Sequence, residues 1–321
     1  MMVSYLSNPD VSGSPFEEVL ESPYPIRVMT EGDLERVISI DAKSYGHIRR
    51  PYFEEKFAVC LRDPGINTSL AAESDGHVIG FLLGQLFFGE FGIPVTRAVL
   101  HTLGIHPDFA HQRVAHDLLV QYRKNMEALR VEAIHTLVDW DRLELIGFFK
   151  AMGFRFSHEL DLVWDTARYP FQAGHSNAEV TAATEADIDA VAEIDQETMQ
   201  ASRTRYFSGK RSAAVARPGQ NHFLVAWLDG EPAGFLVGSI FQGEFGIEEV
   251  RGVIDSLAVR EKFRHQGVAS ALLESLLEWL REAGVTRIET LCRWNDWELL
   301  RYFEYVGFRP SSRIDLMWRF Q

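Results

Sequence analysis

The chain has 321 residues, 46% of them hydrophobic and 24% charged, with a formal net charge of −14. That length and apolar share suffice for two domains of ordinary size, each with its own core. The acidic balance argues against nonspecific binding to nucleic acid or to an anionic membrane, and mildly favours a cationic small substrate.

Residues 1–24 carry Pro, Ser and Asn without periodicity and read as a flexible leader. The opening Met1-Met-Val-Ser-Tyr-Leu6 lacks the basic start and long apolar core of a signal peptide, and no apolar stretch approaches membrane-span length. A soluble, cytoplasmic protein is therefore expected. An offset of 154 residues lays the rest of the chain on itself without a gap. Gly84-Gln-Leu-Phe-Phe-Gly-Glu-Phe-Gly-Ile93 falls on Gly238-Ser-Ile-Phe-Gln-Gly-Glu-Phe-Gly-Ile247, His111-Gln-Arg113-Val-Ala115 on His265-Gln-Gly267-Val-Ala269, and Asp161-Leu-Val-Trp164 on Asp315-Leu-Met-Trp318. This is a duplicated domain rather than a short solenoid repeat. The expected division is a first domain over 25–165, a linker over 166–178, rich in irregular residues, and a second domain over 179–321.

The second copy shows the order of elements better. A short strand near Val180 leads to a helix over 186–200, with Thr184 as its cap. A helix or loop covers about 203–217 and ends at Pro218-Gly219. Two strands, 222–228 and 233–241, are joined by the hairpin signal Asp229-Gly230. After the turn Gly243-Glu-Phe-Gly246 comes a strand over 249–259, then a basic turn, then a helix over 268–283. That helix stacks Leu272, Leu273, Leu276, Leu277 and Leu280 on one face and ends at Gly284. A strand over 286–292, a helix over 297–306 and two closing strands complete an α+β domain around one mixed sheet. The strand, glycine turn and helix at 255–273 are suited to an anion, because the turn offers unpaired N–H groups at the positive end of a helix dipole. Cys60 and Cys292 fall at different places in the two copies and suggest neither a disulfide framework nor a metal cluster; Cys292 reads as a small buried residue.

The turn Arg264-His-Gln-Gly267-Val-Ala269, followed by a helix ending in Gly307-Phe308, resembles the GNAT superfamily of acetyl-coenzyme A dependent N-acyltransferases. The resemblance covers both copies and implies two tandem GNAT-like domains, each a mixed, mostly antiparallel sheet flanked by helices. By this resemblance the backbone amides of Arg264, His265, Gln266, Gly267, Val268, Ala269 and Ser270 hold the coenzyme pyrophosphate. Leu257, Ala258 and Val259 lie along the pantetheine arm, with a free N–H near Ala258 or Val259 aimed at the thioester carbonyl. The implied activity is direct transfer of an acetyl group from acetyl-CoA to a primary amine, with no metal and no covalent enzyme intermediate.

The first copy departs from the pattern, with Ala110 opposite Arg264 and Arg113 opposite Gly267. A degenerate coenzyme loop is expected there, leaving a structural role or a wall of the substrate cleft. The tyrosine that the family often uses as general acid is Phe149 in one copy and Phe303 in the other. Tyr302 is the nearest substitute on the same helix, and water is the alternative. Asp255, on the strand before the turn, fits a general base. Glu244 competes for that role, although its repetition as Glu90 favours a structural reading of the loop. The repeated tryptophans, Trp140 with Trp294 and Trp164 with Trp318, read as core or interface residues. The acceptor is a small-molecule or peptide amine, recognised around Tyr206–Arg217 and in the cleft between copies. Two other readings stay open: an acyl-CoA-binding sensor without transferase activity, and an enzyme acting on another acyl-CoA. So do two assemblies, a monomer with pseudo-dimeric repeats and a homodimer.

Overall fold

The computed structural model describes residues 22–61, 68–171, 175–199, 203–242 and 249–320. The first repeat runs β1 (Ile26–Val28), α1 (Leu34–Tyr45), α2 (Arg50–Cys60), β2 (Leu70–Ser74), β3 (His77–Phe88), β4 (Thr96–Ile105), α3 (Val114–Ala128), β5 (Ala133–Asp139), α4 (Leu143–Ala151), β6 (Arg155–Phe156) and β7 (Glu159–Asp165). The second runs β8 (Glu179–Ala182), α5 (Ile188–Met199), α6 (Thr204–Ala216), β9 (Asn221–Leu228), β10 (Glu231–Gln242), β11 (Val250–Val259), α7 (Val268–Glu282), β12 (Arg287–Arg293), α8 (Trp297–Val306), β13 (Arg309–Pro310) and β14 (Arg313–Arg319). These form two seven-stranded sheets, mostly antiparallel with one parallel pairing each, flanked by helices. The leader lies outside the described residues up to position 21, as does the Gly243–Gly246 turn with the candidate base Glu244.

The sheets do not follow the repeats. Strand order is β1-β2-β3-β4-β5-β14-β6 in one and β13-β7-β12-β11-β10-β9-β8 in the other. The last long strand of each repeat has crossed into the sheet of its neighbour. Strand β7 pairs antiparallel with β12 over its whole length, and β14 pairs likewise with β5. The two closing strands expected at the end of the second domain thus belong to different sheets.

Side chains on the exchanged strands explain two repeated motifs. Trp164 on β7 is fully buried in the core of the second repeat, 5.4 Å from Phe308 between ring centres, and its indole N–H donates to the Tyr169 carbonyl at 2.7 Å. A Cβ on Gly307 would lie 2.5 Å from that indole nitrogen, and Gly307 has φ +124°, so both space and backbone call for glycine. Trp318 on β14 packs against the first core in the same way. Charges cross with the strands. Asp315 lies 2.9 Å from His135, Arg313 bridges Asp161 and Glu289 at 2.6 and 2.7 Å, and Arg97 holds Glu159 at 2.9 Å.

Two backbone irregularities shape the second sheet for chemistry. Strand β11 pairs with β12 only at Gly252 with Ile288 and Val253 with Glu289, after which the ladder ends and the Thr290 hydroxyl donates to the Ile254 carbonyl at 2.9 Å. The strands then splay apart. Against β10 the register jumps from Val237 opposite Ser256 to Gly238 opposite Ile254, leaving Asp255 in a bulge. The first repeat repeats both features, with β4–β5 pairing limited to 97–99 and 133–135 and His101 in the bulge.

Candidate active site

A bulge puts consecutive side chains on the same side of a strand. Here it brings Asp255 and Ser256 together toward α6. The buried Asp255 accepts from Lys210 Nζ at 2.9 Å and from the Ser239 hydroxyl at 3.3 Å. Ser256 receives Arg203 at 3.1 Å and lies 3.3 Å from the Tyr206 hydroxyl; Arg203 is itself ion-paired with buried Asp195. Lys210 also reaches Glu90 of the first repeat at 3.2 Å. Glu90 sits in the first Gly-Glu-Phe-Gly turn, where its other oxygen accepts from the Phe88 N–H at 2.6 Å, while the carbonyl of Gly89 accepts from Arg203. The turn of one repeat is thereby pinned against the first helical turn of α6 in the other.

One ammonium therefore stands between two carboxylates. Burial works against the charge on Lys210, but Asp255, Tyr206 and Glu90 hold its pKa well above the ordinary lysine value. Burial pushes Asp255 up; Lys210 opposes that rise and Glu90 adds to it. Two carboxyl groups thus share one ammonium, an arrangement that leaves room for a second cation.

Of these residues Glu90, Tyr206, Lys210 and Ser239 line a cleft of about 450 Å³ between the repeats, and the buried Asp255 lies directly behind Lys210 and Ser239. Glu55, Val59, Gln85, Phe88 and Glu90 line it from the first repeat, and Ser239, Ile240 and Phe241 from the second. One face of α6, expected as a helix or a loop, completes it with Arg205, Tyr206, Gly209, Lys210 and Ala213.

The candidate coenzyme residues lie at the other end of β11. The Arg260 N–H donates to Ala233 on β10 at 2.8 Å, so strand alternation turns the N–H groups of Val259 and Leu257 toward the open edge, and that of Ala258 toward β10. His265 and Gly267 both take positive φ, at 61° and 77°, and Gly267 is the cap of α7. The first-turn amides of Val268, Ala269 and Ser270 have no acceptor within the helix. The amide of Arg264 differs from expectation, because it donates to Glu261 O at 3.2 Å and is thereby withdrawn from the set of donors; its side chain pairs with Glu298. Gly267 has a neighbour the sequence did not reveal. A Cβ there would lie 2.7 Å from the His175 carbonyl, since the connection between repeats crosses this turn and Ser176 reaches toward Gln266.

Tyr302 is not among the residues lining the cleft. It packs on the core of the second repeat, where burial raises its phenol, with the Ser270 side chain at the start of α7 opposing the shift. Phe303 is a core residue, and Cys292 is a buried thiol pushed up to about 12 by burial. Lys210, Glu90, Ser239 and Arg203 were missed as site residues. A signal existed, because Asp195, Arg203, Tyr206 and Lys210 recur at the same offset as Asp41, Arg49, Tyr52 and Lys56.

Comparison with known proteins agrees with this architecture. The acetyltransferase (GNAT) family profile matches residues 34–154 and 188–308, two windows separated by the same 154 residues. The chain belongs to the acetyltransferase (GNAT) family, as a tandem of two such domains. A curated acetyltransferase of Pectobacterium atrosepticum is 26% identical over 130 residues, covering 40% of this chain and 84% of its own. Among solved structures, a tandem GNAT protein from the clavulanic acid biosynthesis pathway shares the fold with a TM-score of 0.66 and 17% identity, over 92% of this chain and 98% of that one. A GCN5-related N-acetyltransferase from Sphaerobacter thermophilus does so at 0.64 and 15%, over 92% and 95%. No helix among the described residues is long and apolar enough to cross a membrane.

Proposed function

We propose that the second repeat transfers an acetyl group from acetyl-CoA directly to a primary amine bound in the cleft between the repeats. The observation that carries this reading is the juxtaposition, on one strand, of Asp255, hydrogen-bonded to Lys210 and Ser239 of the cleft wall, and Val259, whose N–H turns to the splayed edge. The residues suit the coenzyme. The amides of His265 to Ser270 form an anion cradle at the start of a 15-residue helix, and the gap between β11 and β12 leaves strand N–H groups for a pantetheine arm.

The coenzyme supplies an acyl group on a good leaving thiolate. The Val259 N–H hydrogen-bonds the thioester oxygen, where negative charge develops. Asp255 and Glu90, sharing one lysine, attract the ammonium form of the acceptor and take up one of its protons. The amine nitrogen then bonds to the acyl carbon, the carbon–sulfur bond breaks, and the second nitrogen proton ends on the departing sulfur through water. Water can protonate the sulfur, with Tyr302, beside Ser270 at the start of α7, as the side-chain alternative.

Titration calorimetry with acetyl-CoA tests the donor half, with one site per chain expected. Gly267→Glu is a poor control because its side chain would displace the His175 segment. Ala269→Glu, in the first turn of α7, sets a carboxylate where phosphates would sit and suits a helix N-terminus. It should abolish binding at an unchanged melting temperature; unaltered affinity would reject the site.

A further inference from the structure

α6 and the Arg217 that caps its C-terminus present three cations to the cleft, Arg205, Lys210 and Arg217. Lys210 is saturated by Asp255 and Glu90. The two arginines are exposed, and neither has a carboxylate partner among the described residues; Arg217 donates only to the Gln220 side chain at 3.4 Å. The chain has 46 acidic side chains against 32 basic ones and pairs Arg27, Arg97, Arg203, Arg251, Arg264 and Arg313 with acids; what distinguishes Arg205 and Arg217 is that they stand without such a partner on the wall of the cleft. Arg205 begins about 7.5 Å along the helix from Lys210 and Arg217 about 10.5 Å in the other direction, at 1.5 Å per residue. Val59, Ala213, Ile240 and Phe241 supply apolar surface in the same cleft. The cleft thus has two kinds of pole: the carboxyl groups around Lys210 at its floor, and a guanidinium without a carboxylate partner at each end of α6.

We propose that the amine acceptor is a zwitterion, carrying a carboxylate or phosphate that Arg205 or Arg217, at the two ends of α6, binds, while Glu90 and Asp255 receive its ammonium group. This rests on the acetyl-transfer reading above and adds the acceptor's class. A guanidinium pairs two parallel N–H donors with a carboxylate or phosphate, so a free arginine in a cleft discriminates for such groups and against neutral ones. The apolar lining suits a hydrocarbon or aromatic body between the two charges.

The test uses matched acceptors with saturating acetyl-CoA, following thiol release. Phenylalanine is compared with 2-phenylethylamine, and phosphoethanolamine with ethanolamine; the first pair reads a carboxylate, the second a phosphate. In at least one pair the anionic member should win by about tenfold or more in kcat/KM, the order expected for a charge-assisted pair. The double variant Arg205→Ala with Arg217→Ala should lose that preference at unchanged coenzyme affinity. Equal or better use of the neutral amines would overturn the zwitterion assignment and leave acetyl transfer standing. Absence of coenzyme binding would instead overturn the acetyl-transfer reading. Calorimetric titration of the same four compounds into wild type and double variant still decides the charge preference in that case: no preference, or one that survives loss of both arginines, overturns the proposal.

Discussion

The two repeats hold the same backbone devices with different side chains in them. Both have the bulge, the splayed parallel pair, and a turn whose residue before the helix is left-handed, Arg113 at φ 65° and Gly267 at φ 77°. In the second repeat the bulge presents Asp255 to Lys210. In the first it presents His101, 3.1 Å from Gln85, in the neighbourhood of the buried Lys56. The bulge, the splayed pair and the turn are therefore set by the backbone framework and do not depend on which side chains occupy them. The first repeat still serves the second, because Glu90 and Gly89 lie against Lys210 and Arg203 across the interface.

The most severe way to break this relation is through the exchanged strands. Truncation after Arg313 removes most of β14, which pairs with β5 of the first repeat, yet keeps the arginine that bridges Asp161 and Glu289. It also removes Asp315 from buried His135 and Trp318 from the first core. Breaking one buried pair costs about 3–5 kcal/mol where whole domains have about 5–15 kcal/mol. Hydrogen exchange should show β5 losing its protection while β7 and β12 keep theirs. Loss confined to the second repeat, where the deleted residues stand in sequence, would contradict the exchange.

A smaller effect is expected at the bulge. Asp255→Asn keeps the shape and removes the charge, and should lower kcat/KM about 10²- to 10⁴-fold, the range for a positioned acid or base. Coenzyme affinity should not change. The corresponding change at His101 should leave turnover untouched, and a comparable loss there would mean that the first repeat carries chemistry of its own.

The strand exchange was illegible for a reason that the same residues make plain. Asp161 and Trp164 recur as Asp315 and Trp318, and each strand fits the sheet of either repeat, so no local pattern says which one it enters. The glycine turn, the leucine face of α7 and the position of Asp255 were readable because each depends on neighbours close in the chain. Lys210 was not, because its partners Asp255 and Glu90 are 45 and 120 residues away and its own helix has only a weak apolar face. The Arg264 amide was misjudged because the short helical turn Glu261–Phe263 that captures it has no sequence signature.

The His101 and Asp255 positions should also respond to pH in opposite directions. Burial, with Lys56 adding to it, holds His101 well below its ordinary 6.5, so the folded first repeat keeps it neutral while the unfolded chain protonates. That contribution to stability is present above pH 6.5 and is lost as pH falls below it. Asp255 is raised, so its charged form costs stability above the ordinary carboxylate range and the cost is relieved on acidification. His101→Asn should flatten the decline in melting temperature below pH 6.5; an unaltered slope would show that His101 is not its source.

The smallest effect is expected from Arg113→Gly. A left-handed backbone costs a residue with a side chain about 1–2 kcal/mol, and glycine returns part of that as chain entropy, so the net gain should be roughly 0.5–1 kcal/mol. Its value lies in the binding stoichiometry. Turn, helix and splayed strands match those of the second repeat, and Arg113 is exposed at the point where Gly267 carries no side chain. If that side chain alone closes the first cradle, calorimetry with acetyl-CoA should rise from one site per chain toward two. A value that stays at one would move the cause from the turn to the strands, where His101 stands in place of Asp255.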